Sequence, residues 1–393
     1  MKTASLRRLL SLSLAPALLC GALSGCGVGG SVYANYRELD QLRLIRALGY
    51  DSGGAGVALS ASTGKQGEDG KPLLLCRGGE SILQAMDSLQ AYSTEGRLFF
   101  SHVRQIVVGR EAAERGLGPL LDFAERDVRT RLDTELFVLS EGTAASLVMN
   151  PGGDSYDAAE LLSSVRQDAS LRAVSRVSTF RETALALSEY GAALVCLLQP
   201  VPTEGSVRLE EPGLTAVPIG YAILKDGYLC GVLESRMAEA ASLLLNYPGA
   251  VVRELPCPGG TVTLRVTGEG AELKPNWQKD APGPLEVTLR VRAAVAETEA
   301  SPDGFPLPRP EALARALEEA LAENLRDVLA LSRSLNADFL ALAKPLRAAD
   351  PARFAALPPD WPQNLETRVR VEAVVDRGFD LRSPMDTAGG AGA

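Results

Sequence analysis

Few residues of this 393-residue chain are of a type and spacing that do chemistry. Its one histidine, His102, stands between two apolar runs, where an imidazole more often makes a structural hydrogen bond than a catalytic one. No serine sits in a GxSxG elbow, and there is no P-loop lysine and no HExxH. Gly53, Gly54 and Gly56 cluster, but no strong strand precedes them and no clear helix follows, which makes a poor phosphate cradle. The acidic pairs Glu210-Glu211 and Glu318-Glu319 fall in a loop and on a solvated helix face. Two converging carboxylates could hydrolyse a glycoside, yet aromatics are only 5% of the chain, too sparse for a sugar-stacking platform. The six cysteines (Cys20, Cys26, Cys76, Cys196, Cys230 and Cys257) form no CxxC and no Cys/His cluster. Neither a metal nor a cofactor is implied, and no catalytic residue is assigned.

One thiol has a specific chemistry. Cys26 follows Leu23-Ser24-Gly25 at the end of a mostly apolar run, residues 9–23, preceded by Lys2, Arg7 and Arg8. Charge, apolar run and small residues make a secretory signal, and the run is short for a spanning helix, which needs about 20 apolar residues. Leu-Ser-Gly-Cys resembles the bacterial lipobox. In that motif the cysteine sulfur takes a diacylglyceryl group and the signal is cut just before it. Two acyl chains satisfy the two-signal requirement for stable anchoring, at roughly 0.8 kcal/mol per buried CH₂. Residues 1–25 therefore read as a lipoprotein signal peptide, Cys26 as the lipid attachment, and the Gly-rich residues 26–36 as a tether.

The chain carries a formal charge of −9, and loss of residues 1–25 removes three cations and leaves −12. That surface disfavours nucleic acid and a polybasic lipid-binding face. No later segment reaches 18 consecutive apolar residues, so past its anchor the chain reads as soluble. The remaining 368 residues suffice for two or three domains with real cores. Cys76 and Cys196 sit in apolar runs, which favours buried thiols over disulfides.

The elements follow from periodicity. An apolar-periodic stretch over 37–48 closes at Gly49, and 57–62 reads as a strand. Ser81 is an N-cap for a helix carrying Ile82, Ala85, Met86, Leu89 and Tyr92. Strands are expected at 97–100, 103–108 and 135–140, short helices at 111–115 and 117–126, and a further one capped by Thr143. After the turn cluster 150–156 come helices near 158–168 and 179–190 and a buried strand at 192–198. Lys225-Asp226-Gly227 predicts a hairpin between 221–224 and 228–233, followed by a helix over 237–245. Alternation over 262–267, 285–295 and 365–375 predicts half-buried strands. Between the last two, Pro310 starts a long helix with Leu313, Leu317, Leu321, Leu325, Val328 and Leu335 on one face.

The expected fold is α+β and multi-domain, with mixed and antiparallel sheets and packed helices, including a long helix over an antiparallel sheet at the C-terminal end. The Pro-rich residues 200–213 are the best boundary. Domains are expected at 37–205, 206–283 and 284–380, with a flexible tail at 381–393.

Several segments, in order, resemble the Ger(x)C family, the lipoprotein C subunits of bacterial spore germinant receptors. They are Arg37-Glu38-Leu39-Asp40, then Leu48-Gly49-Tyr50-Asp51, then LFFSHVRQIVVG at 98–109. Glu111-Ala112-Ala113, Gly116, Asp122-Phe123 and Arg126-Asp127 continue the series. Gly220-Tyr221-Ala222 opens the matching hairpin, which runs to Leu233, Ala337-Asp338-Phe339 matches a turn after the long helix, and Asp360-Trp361 matches a pair before the last strand. Departures are Gly27 where the family carries Trp, and Leu340 to Ala343 where it carries alternating Phe and Gly. The resemblance implies three domains, no catalytic site, and a place on the outer face of the inner spore membrane beside two integral-membrane subunits that sense nutrients. It makes His102, Arg126, Asp127, Asp338 and Trp361 pattern positions that hold the fold and do not bind nutrient. The competing class is a solute-binding lipoprotein of an uptake system, which would show alternating βαβ units around a cleft.

Overall fold

The computed structural model describes residues 41–54, 56–65, 70–94, 96–149, 157–202, 213–258, 260–278, 281–300 and 308–376. The segments read as signal peptide, lipid-bearing Cys26, tether and tail lie outside them, as do residues 37–40 and the turn cluster 150–156. By internal contact the chain divides into two units. One comprises residues 1–43 and 95–97; the other holds the remainder and carries the two large sheets.

The strands of the first half are β1 (Leu42–Leu44), β2 (Ala47–Gly53), β3 (Gly56–Ser62), β4 (Leu74–Gly79), β5 (Arg97–Phe99), β6 (Gln105–Val108), β7 (Glu135–Leu139), β8 (Ser178–Thr179) and β9 (Ala192–Pro202). They are followed by β10 (Leu214–Lys225) and β11 (Tyr228–Glu234). A nine-stranded mixed sheet runs β11-β10-β9-β7-β6-β2-β3-β4, with β8 attached to β7. Its centre is parallel, β2 with β6, β6 with β7 and β7 with β9, and its flanks are antiparallel. A parallel centre must be covered on both sides. Alternate residues accordingly enter two cores. Ile106, Val108, Leu136, Val138, Val195 and Leu197 face the helices Ile82–Ala91 and Gly118–Arg126. Val107, Phe137, Leu139, Cys196 and Leu198 face Ala144–Val148 and Ala158–Arg172.

The sequence-predicted 37–48 element resolves into β1 and β2 in its described part, and Gly49 lies within β2 instead of closing it. The strand expected over 103–108 begins only at Gln105, because Phe100–His102 forms a 3-10 turn. The Ser81, Thr143 and Thr179 hydroxyls each accept a hydrogen bond from the third residue of their helix, and Thr179 with Glu182 completes a capping box. The helix expected to end near 168 extends to Arg172, where Ala173 takes a left-handed conformation. At the Lys225–Tyr228 turn, Asp226 (φ 51°) and Gly227 (φ 85°) have the two positive φ angles that a type I′ hairpin requires. The chain on either side of residues 203–212 belongs to one sheet, because β9 and β10 pair.

The second half contributes β12 (Ala250–Cys257), β13 (Gly260–Lys274), the short pair β14 (Trp277–Gln278) and β15 (Ala281–Pro282), β16 (Leu285–Ala300) and β17 (Thr367–Asp376). The second sheet has the order β12-β13-β16-β17. Its first three strands are antiparallel, but β16 and β17 pair in parallel. The Pro310–Leu335 helix lies in the connection between them, and a crossover of that kind returns the chain in the same direction. Leu313, Leu317, Leu321, Leu325, Val328 and Leu329 pack on Val262, Leu264, Val266, Val287, Leu289 and Val291 in one core. Glu318, read as part of a solvated face, instead accepts the Ala373 N–H at 2.9 Å and so covers an edge group of β17. The opposite face of the sheet is wet. Arg290 bridges Glu372 and Glu272, and Arg292 bridges Glu269 and Asp376, all half-exposed and each worth little to stability.

Candidate functional site

Three buried carboxylates organise the molecule where helices begin. Asp51, in β2, receives the Ala144 N–H on Oδ1 at 2.7 Å and the Ala145 N–H on Oδ2 at 2.9 Å. Asp338 does the same for the Ala343–Ala349 helix, taking Leu342 N–H at 2.7 Å and Ala343 N–H at 2.8 Å. Asp157 takes Ala159 N–H (2.9 Å) and Glu160 N–H (3.3 Å) on Oδ1 and the distant Lys65 N–H (2.9 Å) on Oδ2. Each satisfies backbone donors that a helix start leaves open. Burial pushes the Asp51 carboxyl up despite its two N–H donors, and pushes that of Asp338, only 2% exposed, up to about 7. Sequence reasoning misses Asp51 and Asp157 as site residues because the helix that Asp51 caps, and the Lys65 N–H that Asp157 takes besides its own local cap, lie about ninety positions away. The available signal was an Asp continuing the apolar Ala47–Tyr50 run.

The pattern positions are scattered. His102 ends the 3-10 turn, its ring 6.0 Å from that of Phe99, and lines a cavity of about 440 Å³. Arg126 and Asp127 do not pair with each other. Arg126 is exposed and bonds Asp122 one turn back at 2.8 Å. Asp127 grips Arg129 by both oxygens, and that bond holds its carboxyl below the usual range. The corner from Asp127 to Thr134 leads Leu132 into an apolar groove with Leu121, Phe180 and Leu185, between the helices Gly118–Arg126 and Phe180–Tyr190. Trp361 opens the short Trp361–Asn364 helix and meets Phe354 edge-on at 5.7 Å.

The four described cysteines are all free thiols. Cys196 is fully buried and pushed up to about 12 by burial, while Cys76, Cys230 and Cys257 keep some exposure. The thiolate is the reactive form. Cys196 should therefore resist iodoacetamide until the fold is opened with urea, as read by peptide mass spectrometry. Labelling of Cys196 as fast as Cys257 in the native state would contradict this packing.

Among the described residues no helix is long and apolar enough to cross a membrane. Family models match nearly the whole of the folded body. Residues 35–199 match the spore germination protein N-terminal domain, and residues 219–378 match the spore germination B3/GerAC-like C-terminal domain. YfkR of Bacillus subtilis (strain 168), named as a candidate spore germination protein, is 24% identical over 296 residues, covering 71% of this chain and 72% of its own. The crystal structure of the GerBC protein superposes with a TM-score of 0.52 at 14% identity, covering 86% of this chain and 99% of that one, a likeness of fold. With both halves matched in order, the chain belongs to the GerC family of spore germination proteins.

Proposed function

We propose that this chain is a non-enzymatic, lipid-anchored subunit of a spore germinant receptor, held by a diacylglyceryl group on Cys26 at the outer face of the inner spore membrane. There it assembles with two integral-membrane subunits and is required for nutrient-triggered germination. The observation that carries the reading is the join between two halves of the sequence. The signal reads to Gly25 with the lipobox cysteine next at residue 26, and the match to the first germination domain begins at residue 35. A tether over residues 26–36 reaches at most about 40 Å when fully extended. The body is thus confined to a thin layer above the bilayer, where its effective concentration toward membrane-embedded partners is raised without any new contact. The buried acids serve backbone N–H groups, which is a structural use of their oxygens.

A Cys26→Ala variant in the native host tests the reading. The expected result is release of the protein from the spore membrane fraction together with loss of nutrient germination, while germination forced by agents that bypass receptors is retained. Release of the protein with nutrient germination intact would overturn it.

A further inference from the structure

We propose that the apolar groove between the Gly118–Arg126 and Phe180–Tyr190 helices docks the same groove of a second copy of this chain, giving a weak two-fold dimer. This surface is separate from the anchor and goes beyond the subunit reading.

The groove has a volume of about 330 Å³. Arg181, Ala184, Leu185 and Ser188 line it from one helix at spacings of i, i+3, i+4 and i+7, a single helix face. Leu121, Ala124 and Glu125 line it from the other helix, and Leu132 enters from the corner between them. The Phe180–Tyr190 helix feeds the core through Phe180, Ala186 and Leu187 instead. Leu132 and Leu185 join none of the cores and are 47% and 52% exposed. Single exposed leucines are ordinary, but two that share one concave apolar surface mark a contact site. The corner presents Leu132 in a fixed place. Asp127 Oδ1 accepts the Arg129 N–H at 2.8 Å, and Leu132 O accepts the Arg181 N–H at 3.0 Å. A contact surface already held in shape loses little freedom on docking.

The charges select a second copy as the occupant. Glu125 stands on one helix and Arg181 on the other, both exposed, and among the described residues neither is in an ion pair. The arginines beside them are committed, Arg126 to Asp122, Arg129 to Asp127 and Arg131 to Asp133. An isologous contact requires one patch to carry both halves of every pair. One acid and one base on facing helices meet that condition, since a two-fold axis midway between them sets each against its opposite on the other copy. The same patch supplies knobs, Leu132 and Leu185, and a groove walled by the small Ala124 and Ala184 for knobs to enter. A lip with no net charge gives a strongly acidic or basic partner nothing to recognise. Helices of nine and eleven residues make a small interface, hence a weak dimer.

The test is sedimentation velocity of the full chain in detergent over a series of protein concentrations. Wild type should pass from monomer to dimer as concentration rises. Leu185→Asp should weaken the dimer at least about ten-fold with an unchanged melting temperature, because this side chain stands outside the core. That variant keeps the same N-terminal segment, so association through the anchor would survive in it. Glu125→Arg and Arg181→Glu should each weaken the dimer about ten-fold by setting like charges together. An equimolar mixture of those two variants should regain the wild-type affinity, because every charge across the axis then meets its opposite. A chain that stays monomeric at all concentrations, a dimer that persists in Leu185→Asp, or a mixture that associates no better than its components would each overturn the assignment.

Discussion

Replacing Glu239 by alanine should cost the fold on the order of 3–5 kcal/mol, while replacing both Glu239 and Arg253 by apolar residues should cost far less. Arg253 sits on the core face of β12 between Val251 and Leu255, and its partner Glu239 reaches down from the Ser235–Leu244 helix. Their side chains are 8% and 18% exposed. The Nε and Nη2 of Arg253 are buried without hydrogen-bond partners, so Glu239 is the arginine's principal compensation. Burial acts against both charges, raising the Glu239 carboxyl and lowering the Arg253 guanidinium. Removing the acid alone strands a cation in an apolar layer, whereas removing both lets the layer close. Urea unfolding of wild type, Glu239→Ala, Arg253→Met and Glu239→Leu/Arg253→Met reads the coupling directly. A Glu239→Ala variant as stable as wild type would show that the pair is solvated and not buried.

The second large effect is a pH dependence set by Asp338. Its carboxyl is raised to about 7 in the fold, against an ordinary value of 3.8, because burial outweighs two backbone N–H donors. Below about pH 4 the group is protonated in both folded and unfolded chains, and its contribution to stability is fully present. Between pH 4 and 7 only the unfolded chain ionises, so stability falls by about 1.4 kcal/mol per pH unit, on the order of 4 kcal/mol in all. Above pH 7 both forms are ionised and the loss is complete. The stability advantage of wild type over Asp338→Asn, which cannot ionise, should therefore shrink as pH rises from 4 to 8. A gap that widens with pH would mean that the Leu342 and Ala343 N–H groups outweigh burial.

Much of the architecture was legible because periodicity reports burial. The stripe from Leu313 to Val328, the alternation over 285–295 and the Asp226-Gly227 turn each have one local cause, and each element stands where its pattern placed it. What periodicity does not carry is direction and distance. The pattern of β17 is the same whether it runs parallel or antiparallel to β16, so its parallel pairing could come only from the crossover. β12 escaped notice because Arg253 interrupts its apolar face. The caps at Asp51 and Asp157 join segments about ninety residues apart, and nothing local marks the partner. Of the pattern positions, Asp338 declares its role through residues four and five ahead, whereas the cavity beside His102 needs four separate stretches of chain to exist.

The central claim is a lipid on one cysteine that holds a germination-family body beside a membrane. Its most direct measurement is mass spectrometry of the N-terminal peptide of the mature protein isolated from spores. The account predicts a chain that begins at Cys26 and carries the added mass of a diacylglyceryl thioether. A chain with residues 1–25 retained, or an unmodified Cys26, would contradict it.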